Sequence, residues 1–166
     1  RYYDNYPPMF KLEHQPKFDV AESESITLEA LKPLGEDYLG LMRKGFASRW
    51  MSVYPAEGKK QGAYMNPGAY DVHPYLLLNH NNDYQALSTL AHEWGHAVHS
   101  LLANRAQPYE KSNYSKFIAE SASIGNQMLL NDYMVEHAAN RTEKLYYLGQ
   151  GLEEIRSIYF RQVMFA

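Results

Sequence analysis

The sequence contains no cysteine, which excludes disulfides, thiolate metal ligands and cysteine nucleophiles. It also lacks an apolar run of the roughly 18–20 residues that a membrane-crossing helix needs. The 16 Lys and Arg residues are outnumbered by 19 Asp and Glu, a net charge of −3, so the chain has no basic surface of the kind that binds nucleic acid. We therefore expect neither nucleic acid nor a membrane as a partner. The lack of cysteine suits a reducing compartment, and we expect a cytoplasmic location.

The length of 166 residues favours one domain. Apolar residues make up 45% of the chain and aromatic residues 14%, which predicts a packed core and excludes intrinsic disorder. The sequence begins with Arg1 and shows no apolar leader, and its last apolar pattern runs to Ala166 without a Gly, Asn or Pro stop signal. We therefore expect residues 1–166 to be a single piece of one domain, truncated at both ends.

Hydrophobic spacing predicts a mainly α protein with a small β element in the middle of the chain. The elements predicted for the first half are an extended lead-in over residues 1–24, a short helix over 27–31 capped by Ser25 or Thr27, a helix that Pro33 opens and that runs to Trp50, a strand at Ala63–Met65, and a strand or helix fragment at Tyr75–Leu78.

Three further helices are predicted in the second half. The strongest pattern starts at Asp83 and carries an apolar stripe from Leu87 to Leu102. The next helix covers about residues 115–137, and the last begins at Asn140, which forms a capping-box pattern with Glu143. The positions expected to face the core in the last two helices are Phe117, Ile118, Ala122, Leu129 and Tyr133, then Leu145, Leu148, Leu152, Ile155 and Tyr159.

The segment His92-Glu93-Trp94-Gly95-His96 is an H-E-x-x-H motif inside the strongest helical pattern. Residues four apart share one face of a helix, so His92 and His96 can bind one metal ion from the same side. Two nitrogen ligands with room for a third ligand and a water molecule are typical of catalytic zinc. Glu93 lies about 100° further round the helix, where its carboxylate can act as a general base toward that water. The pair lies beside the apolar stripe, which favours a metal site over two surface histidines.

A third metal ligand must come from elsewhere in the fold. Glu120 is the best candidate because Ala119, Ser121, Ala122 and Ser123 surround it, with Gly125 close behind. Such small residues let two helix backbones approach closely, so that a carboxylate on one helix reaches a metal held by the other. The remaining candidates are Asp71, His73, His99, Glu110, Asp132 and Glu136.

Several segments together resemble oligoendopeptidase F, a branch of the thimet oligopeptidase-like zinc metallopeptidases. The motifs that carry the resemblance are residues 92–100, Gln107-Pro108-Tyr109 and Ala119-Glu120-Ser121-Ala122-Ser123. Further similar stretches are residues 38–50, 58–64, 73–79 and 160–165. The resemblance covers nearly the whole chain. It implies a helical zincin-type metallopeptidase core, of which residues 1–166 would be one piece.

The family resemblance implies one zinc ion bound by His92, His96 and Glu120, with Glu93 as general base and proton donor. It implies cleavage of internal bonds in short peptides. Gly62-Ala63-Tyr64 would form the edge strand that hydrogen-bonds an extended substrate. His73 would line the substrate site, although a histidine in a turn before Pro74 can equally be structural.

Two departures from the family pattern affect these expectations. Relatives usually read A-E-V-A-S-T-x-N-E, whereas this chain has Ser121 for Val, Ile124 for Thr and Gln127 for the final Glu. Gln127 faces the same way as Glu120, so we expect it, with Ser123, to contact a ligand, and its neutral amide affects the ligand less than an acid would. The family's oxyanion-stabilising Tyr and His residues lie beyond the matched region, so we expect the chain alone to hydrolyse peptides poorly.

Two alternatives to a zinc endopeptidase stay open on the sequence. One is a zinc carboxypeptidase that also uses H-E-x-x-H. The other is a helical zinc-binding or peptide-binding module without turnover, which the neutral Gln127 favours. The sequence does not indicate an oligomeric state or a side-chain preference.

Overall fold

The computed structural model describes Leu12 and residues 15–165. The chain divides into two compact units, residues 16–130 and a second that includes residues 131–165. The helices of the described chain are α1 (Val20–Ala30), α2 (Glu36–Ala47), α3 (Tyr84–Ala106), α4 (Lys116–Glu136), α5 (Arg141–Ile155) and α6 (Arg161–Phe165), and its strands are β1 (Met51–Ser52), β2 (Tyr64–Asn66) and β3 (Tyr75–Leu77). The expected mainly α fold with a small sheet is confirmed. The expectation of a single piece of one domain remains a prediction.

The first helix is longer than the sequence predicted. Its N-cap is Asp19, whose side chain accepts a hydrogen bond from the Glu22 amide at 2.8 Å. The prediction of an extended chain is therefore wrong for residues 20–24, and its residues 1–11, 13 and 14 lie outside the described part. Neither predicted cap is correct, since the Thr27 hydroxyl donates to the Ser23 carbonyl inside the helix. The charged and polar run at 21–25 hid the helix because it shows no apolar periodicity.

The second helix begins later than predicted. Pro33 lies in a separate 3₁₀ turn over Lys32–Leu34, and Gly35 follows with a φ of 87°. That left-handed conformation suits glycine, and it interrupts the chain so that α2 starts only at Glu36.

The three strands form one small sheet in the order β1-β3-β2. β1 runs parallel to β3, whereas β2 is antiparallel to it, with Met65 opposite Leu76. The strand predicted at 63–65 is confirmed with a shift of one residue, and the run from Tyr75 forms a strand. β1 was not predicted because two residues are too short to show a period. β2 lies at an edge of the sheet.

Trp94 is the centre of the core that supports α3. Its side chain is fully buried and meets Phe46 edge to face, with ring centroids 4.7 Å apart. A Cβ on Gly45 would lie 1.9 Å from the Trp94 ring, so the glycine leaves the space that the indole fills. Asp83 caps the start of α3 by accepting a hydrogen bond from the Ala86 amide at 2.8 Å. The predicted start of this helix is confirmed.

The inner face of α4 differs from the predicted apolar face. Phe117 is 93% exposed and Ile118 is 43% exposed, so these two assignments to the core are wrong. The buried side chains of the helix within the first unit are Ser123, Asn126, Gln127 and Leu130. This face is polar because it carries groups that hydrogen-bond to α3.

In the second unit, α5 begins at Asn140 as predicted. The Asn140 side chain accepts from the Glu143 amide at 2.9 Å, and Glu143 accepts in return from the Ala139 amide at 2.7 Å. The predicted stripe from Leu145 to Tyr159 is exposed, and Tyr146 and Tyr147 are buried instead. The chain then forms a π-helical turn over Arg156–Phe160 before α6. Across the described residues, no helix has the length and apolar character needed to cross a membrane.

Candidate metal centre

Three side chains from α3 and α4 converge on one point. The Nε2 atoms of His92 and His96 lie 3.2 Å apart, and each lies 3.3 Å from Oε2 of Glu120. These are the residues that the sequence proposed as metal ligands. Within the described part of the chain, no other group of His, Asp or Glu side chains converges in this way.

The size of this triangle fits a tetrahedral metal ion. Metal–ligand distances of about 2.0–2.1 Å place neighbouring ligand atoms of a tetrahedron about 3.3–3.4 Å apart, close to the three spacings found here. Two imidazoles and a carboxylate also suit zinc and other transition metals better than calcium or magnesium. The Glu120 side chain is 55% exposed, so the group is open on one side and leaves room for a further ligand. The residues therefore fit a catalytic type of metal site.

A close approach of two helix backbones allows Glu120 to reach the histidines. A Cβ on Gly95 would lie 2.5 Å from Cα of Ser123 and 2.7 Å from the carbonyl oxygen of Ala122. Only glycine fits at this crossing of α3 and α4. The expected close approach through small residues therefore occurs at Ala122 and Ser123. Gly125 takes no part in it, because a Cβ there would meet open space. Sequence reasoning missed Gly95, although a glycine between the two histidines was a usable signal.

The His92 ring is held by a chain of hydrogen bonds from α4 back to α3. Its Nδ1 lies 2.7 Å from Oε1 of Gln127, whose Nε2 donates to the Ser88 hydroxyl at 3.0 Å. Because the amide nitrogen is used by Ser88, the amide oxygen accepts from Nδ1 of His92. This leaves Nε2 of His92 unprotonated and directed at the triangle.

The other two members of the triangle also have fixed partners. The Ala119 backbone hydrogen-bonds the His96 ring, although burial lowers the pKa of His96 below its ordinary value. The Ser123 hydroxyl lies 2.8 Å from Oε2 of Glu120 and 3.0 Å from the Glu120 carbonyl oxygen. Ser123 and Gln127 therefore both contact the triangle, in the positions that the sequence suggested.

Glu93 lies beside the triangle without belonging to it. Its side chain is only 6% exposed, and its Oε2 has no hydrogen-bond partner within the described residues. Burial raises the pKa of Glu93, the nearby Glu120 raises it further, and His92 and the Met65 backbone amide lower it. A buried carboxylate with a free oxygen is a capable proton acceptor.

Sequence reasoning missed a buried bridge behind the motif. Asn126 is 2% exposed, donates from Nδ2 to the Ala91 carbonyl at 3.0 Å and accepts from the Tyr38 hydroxyl at 2.9 Å. Burial raises the pKa of Tyr38 to about 12, although the Asn126 hydrogen bond lowers it. The bridge therefore joins α2 to α4 and α4 to α3, and it meets α3 at Ala91, the residue before His92. Asn126 matches the Asn of the family pattern and Tyr38 begins one of the similar stretches, but neither signal indicated that the two side chains form a hydrogen bond.

The remaining candidate ligands lie apart from the triangle. Within the described part of the chain, six candidates belong to no metal-binding group: Asp71, His73, His99, Glu110, Asp132 and Glu136. His99 stacks on Tyr114 with ring centroids 4.0 Å apart, and burial lowers its pKa.

The predicted substrate residues fall into two places. The edge strand expected at Gly62-Ala63-Tyr64 lies two residues later, since Gly62 and Ala63 precede β2 and Tyr64 is its first residue. His73 instead stacks on Trp50 at 4.5 Å and lines a cavity of about 510 Å³ that Leu101, Asn104 and Arg105 bound on α3. Its Nδ1 is paired with the Pro74 carbonyl oxygen at 2.9 Å.

Sequence comparison places the chain in a known family. The model of peptidase family M3 matches residues 4–166. The chain belongs to this family. As a member of peptidase family M3, it is 42% identical over 164 residues to the oligopeptidase PepF of Bacillus subtilis (strain 168) and 35% identical over 164 residues to the chromosomal oligoendopeptidase F of Lactococcus lactis subsp. cremoris. The resemblance to oligoendopeptidase F that the motifs indicated is confirmed.

The family M3 fold is confirmed by a solved structure. A crystal structure of a protein assigned as a peptidase from Chlamydophila abortus matches 99% of this chain and 27% of its own, with a TM-score of 0.88 and 36% identity. The matches to the two relatives cover 99% of this chain but only 24% and 27% of theirs. The chain thus spans about a quarter of the length of these relatives.

Proposed function

We propose that this chain carries the metal centre of a zinc-dependent peptidase that cleaves internal bonds of short peptides. The observation that carries the proposal is the triangle of His92, His96 and Glu120, with a buried free carboxylate oxygen on Glu93 beside it. Membership of peptidase family M3 and the names of the relatives support it.

A zinc ion bound by the three side chains would polarise the scissile carbonyl and lower the pKa of a water molecule. Glu93 would accept a proton from that water molecule while the water oxygen forms a bond to the carbonyl carbon. The same carboxylic acid would then give the proton to the amide nitrogen as the C–N bond breaks. The raised pKa of Glu93 suits this double role, because a carboxylate with a raised pKa holds a proton more readily.

The position of β2 supports an extended peptide as the substrate. β2 is an edge strand, and the Met65 backbone amide faces the Glu93 carboxylate. A peptide that pairs with the edge through its own backbone would pass the metal site whatever its side chains. Tyr64, which is 41% exposed, would then contact the peptide directly.

The experiment combines metal analysis with peptide cleavage. Zinc content is measured for the purified chain, and hydrolysis of an internally quenched peptide with two blocked ends is measured for a longer protein that contains it. About one zinc per chain and an internal cut support the proposal. A protein that binds no zinc contradicts it. Trimming only at a free carboxyl end would indicate a carboxypeptidase instead.

One observation favours a second candidate function, a zinc-binding module without turnover. His92 is held by the neutral amide of Gln127, and a neutral acceptor increases the basicity of an imidazole ligand less than a carboxylate does. Full zinc content without any cleavage, both in the chain and in a longer protein that contains it, would support this alternative.

A further inference from the structure

A small cavity lies beside the start of α3, and none of the three triangle residues lines it. It has a volume of about 240 Å³ and lies between the segment Gly62–Ala63 and the first turns of α3. Small-molecule sites usually enclose about 300–1,000 Å³, so this cavity is the right size for one side chain and too small for a whole peptide. We call it the α3-start cavity.

The cavity lies a short distance along the proposed peptide path from Glu93. Thr89, which lines it, is one helical turn before Glu93 and therefore on the same face of α3. On the sheet side, Ala63 lines it and is two residues before Met65, whose amide faces Glu93. Two residues of extended chain span about 6.8 Å. A peptide along β2 would therefore place a side chain in the cavity about two residues from its bond beside Glu93.

Part of the cavity wall is held in place by hydrogen bonds before any ligand binds. The Asn79 side chain donates to the carbonyl oxygens of Lys60 and Gly62 at 2.9 and 2.8 Å, which holds the segment before β2. Asp83 is held as the N-cap of α3. His80 is 4% exposed and is bonded through its two ring nitrogens to Ser23 and to Asn82. A preformed pocket reduces the ordering cost of binding.

The lining offers one negative charge together with side chains that both donate and accept hydrogen bonds. Asp83 is the sole acidic side chain among the described lining residues, and none of them is Lys or Arg. Its Oδ1 serves the helix cap, so Oδ2 is left for a ligand. The polar groups that line the cavity with no side-chain hydrogen bond of their own in the described structure are Asn81, Gln85 and Thr89. The nearby Lys60 ammonium lies over the Tyr64 ring, 5.2 Å from its centroid.

We propose that the α3-start cavity is a subsite for a lysine or arginine side chain of the peptide substrate, held by Asp83 and the amide and hydroxyl groups around it. A basic side chain has the opposite charge to Asp83 and can donate to the amide and hydroxyl oxygens around it, whereas an acidic side chain would meet Asp83 with the same charge. The inference rests on the proposed peptidase function and adds a side-chain preference to it.

The test measures peptide binding without hydrolysis. The full chain, loaded with zinc and carrying Glu93→Gln, is titrated with dye-labelled peptides in which one Lys, Gln or Glu is moved stepwise through a neutral sequence. Fluorescence anisotropy should show one position at which Lys binds about three- to fivefold more tightly than Gln, and at which Glu binds more weakly than both. A flat ranking at every position would overturn the proposal.

Asp83→Asn provides the decisive variant, because Asn caps a helix as well as Asp does. It should abolish the preference for Lys over Gln, whereas Gln85→Lys should shift the preference toward Glu. Asp37→Asn removes the same charge from an exposed site in the first turn of α2 and should leave the ranking unchanged. A Lys preference that survives Asp83→Asn would contradict the proposal.

The failures of the two proposals can be told apart by a parallel cleavage assay with Glu93 intact. Lys-selective binding by the chain, with no cleavage even by a longer protein that contains it, would overturn the peptidase function and support the subsite. Cleavage without any preference for Lys would overturn the subsite and leave the peptidase function standing.

Discussion

Nδ1 of His92 lies 2.7 Å from Oε1 of Gln127, a residue 35 positions further along the chain on the neighbouring helix. This contact selects the His92 tautomer that presents Nε2 to the triangle. A neutral amide, itself oriented by Ser88, therefore influences the basicity of one of the proposed metal ligands. Metal affinity in this chain should therefore respond to substitutions at a residue that does not touch the metal.

Gln127→Leu should weaken zinc binding by about 10–100-fold, because it removes the acceptor that orients His92. Gln127→Glu should strengthen zinc binding, since a carboxylate makes the imidazole more basic. Competition against a zinc chelator measures both affinities. Ser88→Ala should cause a smaller loss, as the amide oxygen stays within reach. Equal affinities for wild type and Gln127→Leu would show that the hydrogen bond does not matter.

Glu120→Ala should weaken zinc binding far more than the same change at Glu110 or Glu136. Only Glu120 places a carboxylate oxygen 3.3 Å from both imidazole nitrogens. Equilibrium dialysis against a chelator compares the three variants. If all three bind zinc alike, Glu120 is not a ligand.

Glu93→Gln should leave zinc bound, because Glu93 is not part of the triangle. It should reduce peptide hydrolysis by about 10²–10⁴-fold, the usual contribution of a general base. Metal analysis and a quenched-peptide assay of a longer, active protein that contains this chain give both readouts. Glu110→Gln serves as the matched control at an exposed site. Near-normal turnover of Glu93→Gln, or loss of its zinc, would contradict the assigned role.

Gly95→Ala should destabilise the fold and weaken zinc binding together. The added methyl group would lie 2.5 Å from the Ser123 backbone, and overpacking of this kind costs about 1–3 kcal/mol. Denaturant unfolding and chelator competition measure the two effects. Gly125→Ala, which meets open space in α4, should stabilise the helix by up to about 1 kcal/mol. Unchanged stability and zinc affinity in Gly95→Ala would show that α3 and α4 can move apart without cost.

Tyr38 should make the stability of the protein depend on alkaline pH. Its pKa is raised to about 12 in the fold by burial, against about 10 in an unfolded chain. Stability is therefore unaffected below pH 10 and falls as the pH rises toward 12, by about 1 kcal/mol at pH 11. Denaturant midpoints at pH 9 and pH 11 should show a smaller loss in Tyr38→Phe than in wild type. An equal loss in both would remove Tyr38 as the cause.

The sequence identified the three side chains that converge in the structure, because local patterns mark them. The spacing of His92 and His96 is readable on any helix, and the small residues around Glu120 indicate a close helix crossing. The face of α4 could not be predicted in the same way. Hydrophobicity selected Phe117 and Ile118, whereas the buried side is polar and gains its stability from partners such as Ala91 and Ser88 on α3, which only the fold brings near.

Other predictions depended on long-range structure or on features that the structure does not address. Asp19 is recognisable as a helix cap only once the polar segment after it is known to be helical. The positions of Gly62, Ala63 and His73 relative to a peptide, the cytoplasmic location and the absence of nucleic-acid partners stay predictions.

The contact of Gly95 with the Ser123 backbone has a consequence for how the chain can tolerate insertions. A residue added within the connection at 107–115 would change its length and leave the helix crossing intact. A residue added between Glu120 and Ser123 would turn the carboxylate by about 100° relative to the crossing, away from both histidines. Length variation among natural versions of this chain should therefore be found in that connection and avoided between these two residues.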